Sequence, residues 1–207
     1  MTPPTKLYLL RHGEVETRYH RFFGGSRIDM ELSPRGQQQA RALAAYLRQT
    51  HFNNIYVSPM KRAQQTLAPL AEQYLEPAIT LADLREVDFG DWTGLSWQQV
   101  QDKYKVSAFE WLNLLEKGGI PGAETTAQLC ARVEPCLRRI LHDCPGQTVA
   151  VVCHGGIVRV LLSLLLEIPV PKTAAFEVEY ASVTVVEASP HKNELQLLNF
   201  TPWRDLP

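Results

Sequence analysis

Two histidines, each followed by glycine, stand directly after short apolar runs in this chain. His12 follows the run at residues 7–10, and His154 follows the run at residues 149–153. Imidazole can act as a nucleophile, an acid or a base near neutral pH. If both runs are parallel strands, their carboxyl ends meet at one edge of the sheet, where ligands bind in open α/β folds. The pattern favours a shared site, and the alternative for each histidine is a structural role in holding a loop.

Two arginines are expected at the same edge of the sheet. Arg11 stands beside the first histidine, and Arg62 lies near the start of the helix predicted after the apolar residues 55–57. Guanidinium groups bind phosphate oxygens in a bidentate fashion and keep their charge at any working pH. Helix N-termini predicted after Ser58 and Gly156 would add backbone N–H donors. These groups predict a local anion site, although Arg62 could instead be a solvated surface arginine.

Carboxylates that could supply a proton are concentrated in residues 84–92, and Glu14 is a further acid near the first histidine. Glu86, Asp88 and Asp91 alternate there with aromatic and aliphatic residues. A carboxyl group against apolar walls has a raised pKa and can be protonated when a leaving group needs a proton. Composition alone leaves open which of these carboxylates would act.

Apolar runs and helical periodicities alternate along the chain. Strands are predicted at residues 7–10, 55–57, 79–81, 149–153, 183–186 and 195–197, and helices are predicted from Ser33-Pro34, from Ser58-Pro59, over 126–142 and over 157–166. This order predicts an α/β fold, a three-layer α/β/α sandwich with a mostly parallel sheet. Residues 86–122 are predicted to form a small helical insertion over the active site, within a single domain of residues 1–207.

Composition limits the classes of partner. A formal net charge of −1 over 207 residues gives no general attraction to nucleic acid or anionic membranes. The apolar run at 157–166 is shorter than the roughly 20 residues of a membrane-spanning helix. The four cysteines, at positions 130, 136, 144 and 153, form no C-x-x-C pair, and the N-terminus lacks a signal-peptide pattern. We expect a cytoplasmic monomer or homodimer with a small-molecule substrate, no nucleic-acid or membrane partner, no metal and no cofactor.

The run Arg11-His12-Gly13-Glu14 resembles the RHG motif of the histidine phosphatase superfamily, the phosphoglycerate-mutase-like proteins. The similarity covers nearly the whole chain in the family's order, through LSPRGQQQA at 32–40, SPMKRAQQT at 58–66, LREVDFGDWTG at 84–94 and CHGG at 153–156. RHG alone is a weak signal, whereas four motifs in sequence are specific. The length and the segment at 86–92 resemble the small-molecule phosphatase branch, such as the α-ribazole phosphatases.

The resemblance implies a metal-independent hydrolase of a small phosphomonoester, with a phosphohistidine intermediate on His12. It implies that Arg11, Arg62 and His154 hold the phosphoryl group and that Glu86 is the proton donor. We expect a neutral nucleophile whose second ring nitrogen is held by a backbone carbonyl, beside a protonated His154.

The remaining phosphate contacts are open at this stage. Val15 occupies a position where family members often carry threonine or serine. Gly24, Gly155 and Arg21 are further candidates for substrate binding. Arg18 and Arg27, like Arg21, could replace the missing contacts or could be solvated loop charges.

Three other functions are compatible with parts of the sequence. A phosphoglycerate-type mutase is the first, and it is disfavoured because such mutases carry longer inserted segments. The second is a cysteine-dependent phosphatase, since Cys153 and Arg159 have C-x5-R spacing; we prefer to explain Cys153 as a small buried residue at a strand end, because that spacing is loose and leaves Arg11, His12 and Glu86 unexplained. The third is a non-catalytic scaffold that binds phosphorylated ligands.

Overall fold

A six-stranded sheet forms the centre of the protein, whose computed structural model describes residues 3–206. The strands are β1 (Thr5–Arg11), β2 (Asn54–Val57), β3 (Ile79–Thr80), β4 (Thr148–Cys153), β5 (Val183–Ala188) and β6 (Asn193–Phe200). Their order is β3-β2-β4-β1-β5-β6. Strands β1 to β4 pair in parallel, whereas β5 and β6 are added antiparallel. The predicted sheet is confirmed.

Helices cover both faces of this sheet. They are α1 (Pro34–Leu47), α2 (Lys61–Ala71), α3 (Trp97–Tyr104), α4 (Trp111–Glu116), α5 (Thr126–Asp143), α6 (Gly155–Leu166) and α7 (Pro202–Asp205). In β1, Leu7 and Leu9 belong to the core cluster shared with α5 and α6, while Leu10 belongs to the cluster shared with α1 and α2. Because both faces are covered, residues 149–153 of β4 are all buried. This confirms the three-layer sandwich.

The segment between β3 and α5 consists of α3, α4 and short 3-10 helices, as predicted for an insertion. Trp92 is 1% exposed and belongs to the same core cluster as α5 and α6. Trp97 and Trp111 pack against that cluster while partly exposed. The segment is therefore anchored by its aromatic side chains to one face of the sandwich. That residues 1–207 form one domain stays a prediction.

The start of α2 differs from the prediction. Ser33 caps α1 as expected, accepting a hydrogen bond from the backbone N–H of Gly36, but α2 begins at Lys61 rather than at Pro59. The N-cap of α2 is Met60, which makes no side-chain capping bond. Ser58 is instead the first residue after β2, and its hydroxyl is used elsewhere. Among the residues described, no helix combines the length and apolar character needed to cross a membrane.

Candidate active site

The two histidines meet beyond the carboxyl ends of β1 and β4, which are adjacent in the sheet. The backbone N–H of His12 donates to the carbonyl of Cys153 at 3.0 Å, continuing the parallel pairing by one residue. The ring centroids of His12 and His154 are 5.1 Å apart. Arg11, the last residue of β1, and Arg62, in the first turn of α2, lie at the same edge. The fold thus brings together the four residues that the two strand ends suggested.

One backbone hydrogen bond defines the tautomer of His12. Its Nδ1 lies 2.7 Å from the carbonyl oxygen of Gly13, and a carbonyl can only accept, so Nδ1 carries the hydrogen. Nε2 then bears the lone pair, consistent with the Nε–H of Arg62 donating to it at 3.3 Å. Burial, followed by the charges of Arg62 and Arg11, lowers the pKa of His12 well below its usual value. The imidazole is therefore neutral, as the sequence led us to expect.

The loop that carries this hydrogen bond is held from two sides. The N–H of Gly13 donates to the hydroxyl of Thr66 on α2 at 2.9 Å. A Cβ at Gly13 would lie 2.6 Å from the carbonyl oxygen of Gly36 on α1, so a side chain would not fit. Glycine after the histidine is thus required by the close contact between the loop after β1 and the first turn of α1.

The two guanidinium groups are oriented by backbone carbonyls. Arg62 is 2% exposed, and its Nη1 and Nη2 donate to the carbonyls of Ile28 and Gly25. Burial lowers its pKa, and Glu86 opposes that effect. Arg11 donates through Nη1 to Val178, and its Cζ lies 4.0 Å from the centre of the Tyr180 ring, a cation–π distance.

His154 is completely buried, and Ser58 determines which of its nitrogens carries hydrogen. The Ser58 hydroxyl lies 2.7 Å from Nε2 of His154 and accepts the N–H of Met60 at 3.3 Å. Ser58 is 0% exposed, and its hydroxyl proton has no other acceptor among the described residues, so it is donated to Nε2. The hydrogen of His154 then lies on Nδ1, which is buried without a hydrogen-bond partner.

The expectation of a protonated His154 is not supported for the free protein. Burial lowers its pKa well below the usual value, and the charge of Arg62 lowers it further. A neutral ring with hydrogen on Nδ1 is still a hydrogen-bond donor. In the free protein His154 does not line the cavity that His12 and Arg62 line, although its ring centroid lies 5.1 Å from that of His12.

Glu86 is the carboxylate placed at the site. It accepts the N–H of Gly156, at the start of α6, at 3.3 Å, and a Cβ at that glycine would lie 2.5 Å from its Oε1. Asp88 is occupied elsewhere, by Arg27 and by the N–H of Gly90. Asp91 is exposed. The structure therefore separates three acids that composition alone left equivalent.

Two adjoining cavities share Glu86 and Arg11. The smaller, about 110 Å³, is lined by His12, Arg62 and Tyr180 among others. The larger, about 400 Å³, extends under the insertion. Another cavity of about 380 Å³ is lined by residues that include Pro3, Leu141 and Pro190, without any titratable side chain.

The other predicted binding residues are divided between these cavities. Gly24 lines the smaller cavity together with Val15, and Gly155 lines the larger one. Arg21 is not among the residues of either; it lines a separate cavity with His20, where its backbone has a positive φ of 54°. Arg21 therefore lies outside the two cavities beside the histidines.

The other two arginine candidates are paired away from the site. Arg18 forms an exposed ion pair with Glu16 at 2.8 Å, and Arg27 pairs with Asp88. Neither lines the two cavities. In this structure, therefore, neither arginine replaces the contacts that Val15 leaves missing.

Cys153 is not placed as a nucleophile. It is 0% exposed within the core cluster of α5 and α6, and it lines neither cavity. Burial raises the pKa of its thiol, and Glu86 raises it further. An activated cysteine needs the opposite environment, one that favours the thiolate.

Comparison with known proteins agrees with this geometry. The family model of the histidine phosphatase superfamily (branch 1) matches residues 7–201. The chain belongs to the histidine phosphatase superfamily. It is 32% identical over 196 residues to phosphoserine phosphatase 1 of Hydrogenobacter thermophilus, covering 95% of this chain and 92% of that protein. The resemblance seen in the motifs is confirmed, and the chain is a phosphatase.

Solved structures show the same fold. A mycobacterial glucosyl-3-phosphoglycerate phosphatase superposes with a TM-score of 0.85 at 26% identity, over 94% of this chain and 98% of that one. The α-ribazole phosphatase of Shigella flexneri superposes with a TM-score of 0.82 at 23% identity, over 95% and 96%. At that lower identity, the likeness to the α-ribazole phosphatase concerns the fold.

Two side chains of this histidine phosphatase site, those of Ser58 and Tyr180, were not predicted from the sequence. Ser58 was interpreted as a helix cap, although as the residue after β2 it ends at the same edge as both histidines. Tyr180 lies before β5, and its ring centroid is 5.6 Å from that of His12. The strand-end rule could have identified Ser58, whereas no local pattern marks Tyr180. Within residues 3–206, no three His, Cys, Asp or Glu side chains are grouped as metal ligands.

The protonation of the two histidines can be measured directly. We expect ¹⁵N-edited spectra of the free enzyme to show His12 and His154 neutral at pH 6, each with hydrogen on Nδ1. The reason is that a histidine with a lowered pKa gains its proton only below the ordinary value of about 6.5. The same residues in urea are the control. Titration of both near the unfolded value would contradict the description of the site.

Removing the Ser58 hydroxyl should release the tautomer of His154. We expect Ser58→Ala to lower kcat by about 10-fold, the scale of one hydrogen bond, and to give a tautomer mixture at His154 in ¹⁵N spectra. Ser58→Thr keeps a hydroxyl and serves as the matched control. An unchanged His154 tautomer in the alanine variant would show that Ser58 does not control it.

Proposed function

We propose that this phosphatase hydrolyses a small phosphomonoester through a phosphohistidine on His12. The observation that carries the proposal is the lone pair of His12 Nε2, fixed by Gly13 at a cavity that Arg11 and Arg62 also line. A volume of about 110 Å³ suits a phosphoryl group rather than a whole metabolite. The larger adjoining cavity would then take the leaving group.

Phosphoryl binding would use side chains that the free protein already holds in place. Arg11 and Arg62 would hold phosphoryl oxygens, since each is fixed by backbone carbonyls and needs little reorganisation. The Nδ1–H of His154, which lacks a partner beside His12, would donate to another oxygen. Positioning and electrostatic stabilisation are the main requirements of phosphoryl transfer.

The reaction would proceed in two steps. In the first, Nε2 of His12 attacks phosphorus, the N–P bond forms, the ester P–O bond breaks, and Glu86 protonates the departing alkoxide. In the second, the Glu86 carboxylate takes a proton from water, the water oxygen attacks phosphorus, and the N–P bond breaks to release phosphate. The Nδ1–H of His12 stays hydrogen-bonded to the Gly13 carbonyl in both steps. This hydrogen bond stabilises the positive charge that the ring acquires.

The relatives indicate the general class of substrate. One is named as a phosphoserine phosphatase and another as a glucosyl-3-phosphoglycerate phosphatase, and both names describe small phosphorylated metabolites. We propose hydrolysis of such a metabolite rather than the mutase reaction. We also propose a cytoplasmic location and a monomeric or homodimeric state, on the composition and cysteine pattern of the sequence.

A common phosphoenzyme makes a specific prediction about product partitioning. With added glycerol as a competing acceptor, the ratio of phosphate to glycerol phosphate should be the same for esters with different leaving groups. This follows because every ester gives the same phosphohistidine. We expect His12→Ala to abolish turnover, measured as release of both products.

His142→Ala is the control, since His142 is an exposed histidine with 88% of its side chain accessible. A partition ratio that varies with the leaving group would indicate direct attack by water and would refute the covalent scheme. Transfer of the phosphoryl group mainly to a different hydroxyl of the product alcohol, giving the isomeric ester, would instead indicate a mutase.

The proton donor can be tested by varying the leaving group. We expect Glu86→Gln to slow the first, single-turnover step with an alkyl phosphate by about 10²–10⁴-fold, the usual range for a general acid. An aryl phosphate with an acidic phenol should be slowed far less, because its leaving group needs no proton.

The exposed Asp91 provides the matched carboxylate, and Asp91→Asn should leave both rates close to those of the unmodified enzyme. Equal slowing of the two esters by Glu86→Gln would assign Glu86 to substrate binding or structure. Asp88 would then be the candidate donor, and selective slowing of the alkyl ester by Asp91→Asn would instead point to Asp91.

A further inference from the structure

The larger cavity lies where the leaving group of a bound ester would extend. It shares Arg11 and Glu86 with the smaller cavity, so the ester oxygen that Glu86 would protonate lies at the junction of the two. Its volume of about 400 Å³ falls within the range of roughly 300–1,000 Å³ found for pockets that bind drug-sized ligands. This space exceeds the needs of a leaving group of a few atoms.

The walls of this cavity are mainly aromatic. Its aromatic residues are Phe22, Phe23, Phe89, Trp97, Phe109, Trp111 and Phe176. Phe109 is 75% exposed although it lies on a short helix of the insertion, so its ring is available at the cavity. Aromatic faces favour a flat or apolar ligand body, which gains by leaving water.

Arg159 is the cation in this cavity that the proposed mechanism does not use. It lies on α6, and its Nη1 donates to the carbonyl of Thr173. A guanidinium has five N–H donors, and no carboxylate lies within ion-pair distance of Arg159 among the described residues. Glu86 and Glu177 also line the cavity beyond ion-pair distance of Arg159, and Glu177 is exposed to solvent, which weakens its attraction.

The charge of the partly buried Arg159 guanidinium lacks an ion-pair partner among the described residues of the free protein. Burial lowers the pKa of Arg159, the charge of Arg11 lowers it further, and Glu177 and Glu86 oppose these effects only in part. Removing a charge from water without a partner is unfavourable, and an anion that binds in the cavity would remove that penalty. Bidentate contact with a carboxylate or a phosphate is the interaction that guanidinium favours.

We propose that Arg159 binds an acidic group on the leaving group, so that the substrate is a phosphomonoester with an apolar or aromatic body and a second anion. The proposal rests on the proposed function, because it places the scissile phosphate in the smaller cavity. Arg159 is then a specificity-determining residue.

The role of Arg159 can be tested with two aryl phosphates that are similar in size but differ in the charge of the leaving group. We expect the unmodified enzyme to favour 4-carboxyphenyl phosphate over 4-carbamoylphenyl phosphate in kcat/KM by about 10-fold or more, the scale of a hydrogen bond to a charged group. Arg159→Gln keeps an N–H donor for Thr173 and loses the charge, so the ratio should fall to near one. Arg159→Lys keeps the charge and should retain part of the preference.

Arg138→Gln is the control, because Arg138 is an exposed arginine on α5 that pairs with Glu134. Absence of a preference in the unmodified enzyme would overturn the proposal without any variant. Equal loss on both esters in Arg159→Gln would also overturn it and would assign Arg159 to fastening residues 170–175. Turnover of either ester by His12→Ala would refute the phosphohistidine scheme separately, since the ester ratio does not depend on that variant.

Discussion

The hydrogen bond from Nδ1 of His12 to the carbonyl of Gly13 is the contact on which the chemistry depends. It determines that Nε2, and not Nδ1, has the lone pair at the phosphate-sized cavity. If the tautomer were reversed, the Nε2–H would face the Nε–H of Arg62, and two donors would oppose each other. The carbonyl can keep its position because Gly13 is tied to Thr66 and packs against Gly36.

A second constraint is that two buried histidines lie beside the buried Arg62 and the partly buried Arg11. Burial, followed by the charges of the arginines, lowers the pKa of both rings, so both are neutral in the free protein. One neutral ring thereby has its lone pair on Nε2 and the other has its hydrogen on Nδ1 without a partner among the described residues, although they are the same residue type. The difference comes from their partners, a backbone carbonyl for His12 and a hydroxyl for His154. Environment rather than residue identity therefore separates the two functions.

Much of this site could be predicted from the sequence because it follows from strand order. Residues that end adjacent parallel strands must lie at one edge of the sheet, and this accounts for Arg11, His12 and His154. Arg62 follows in the same way from the helix after β2. The family motifs then identified Glu86, which local composition could not distinguish from Asp88 or Asp91.

The remainder depends on contacts between segments distant in the chain. Asp88 is paired with Arg27, 61 residues away in the chain, and this pairing disfavours it as the proton donor. Tyr180 reaches Arg11 from the loop before β5, and the Ser58 hydroxyl contacts a residue 96 positions later. Arg21 was expected near the phosphate, but it lines another cavity. Patterns of period two or 3.6 carry no information about such pairings.

The measurement that tests the central claim most directly is the identity of the phosphorylated atom. The phosphoenzyme can be trapped by rapid quenching into base, digested, and assigned by ³¹P NMR and mass spectrometry to one residue and one ring nitrogen. The account predicts a single phosphohistidine at His12, with phosphorus on Nε2, because Nδ1 is held by Gly13. Phosphorus on Nδ1 of His12, on His154 or on Cys153 would contradict it.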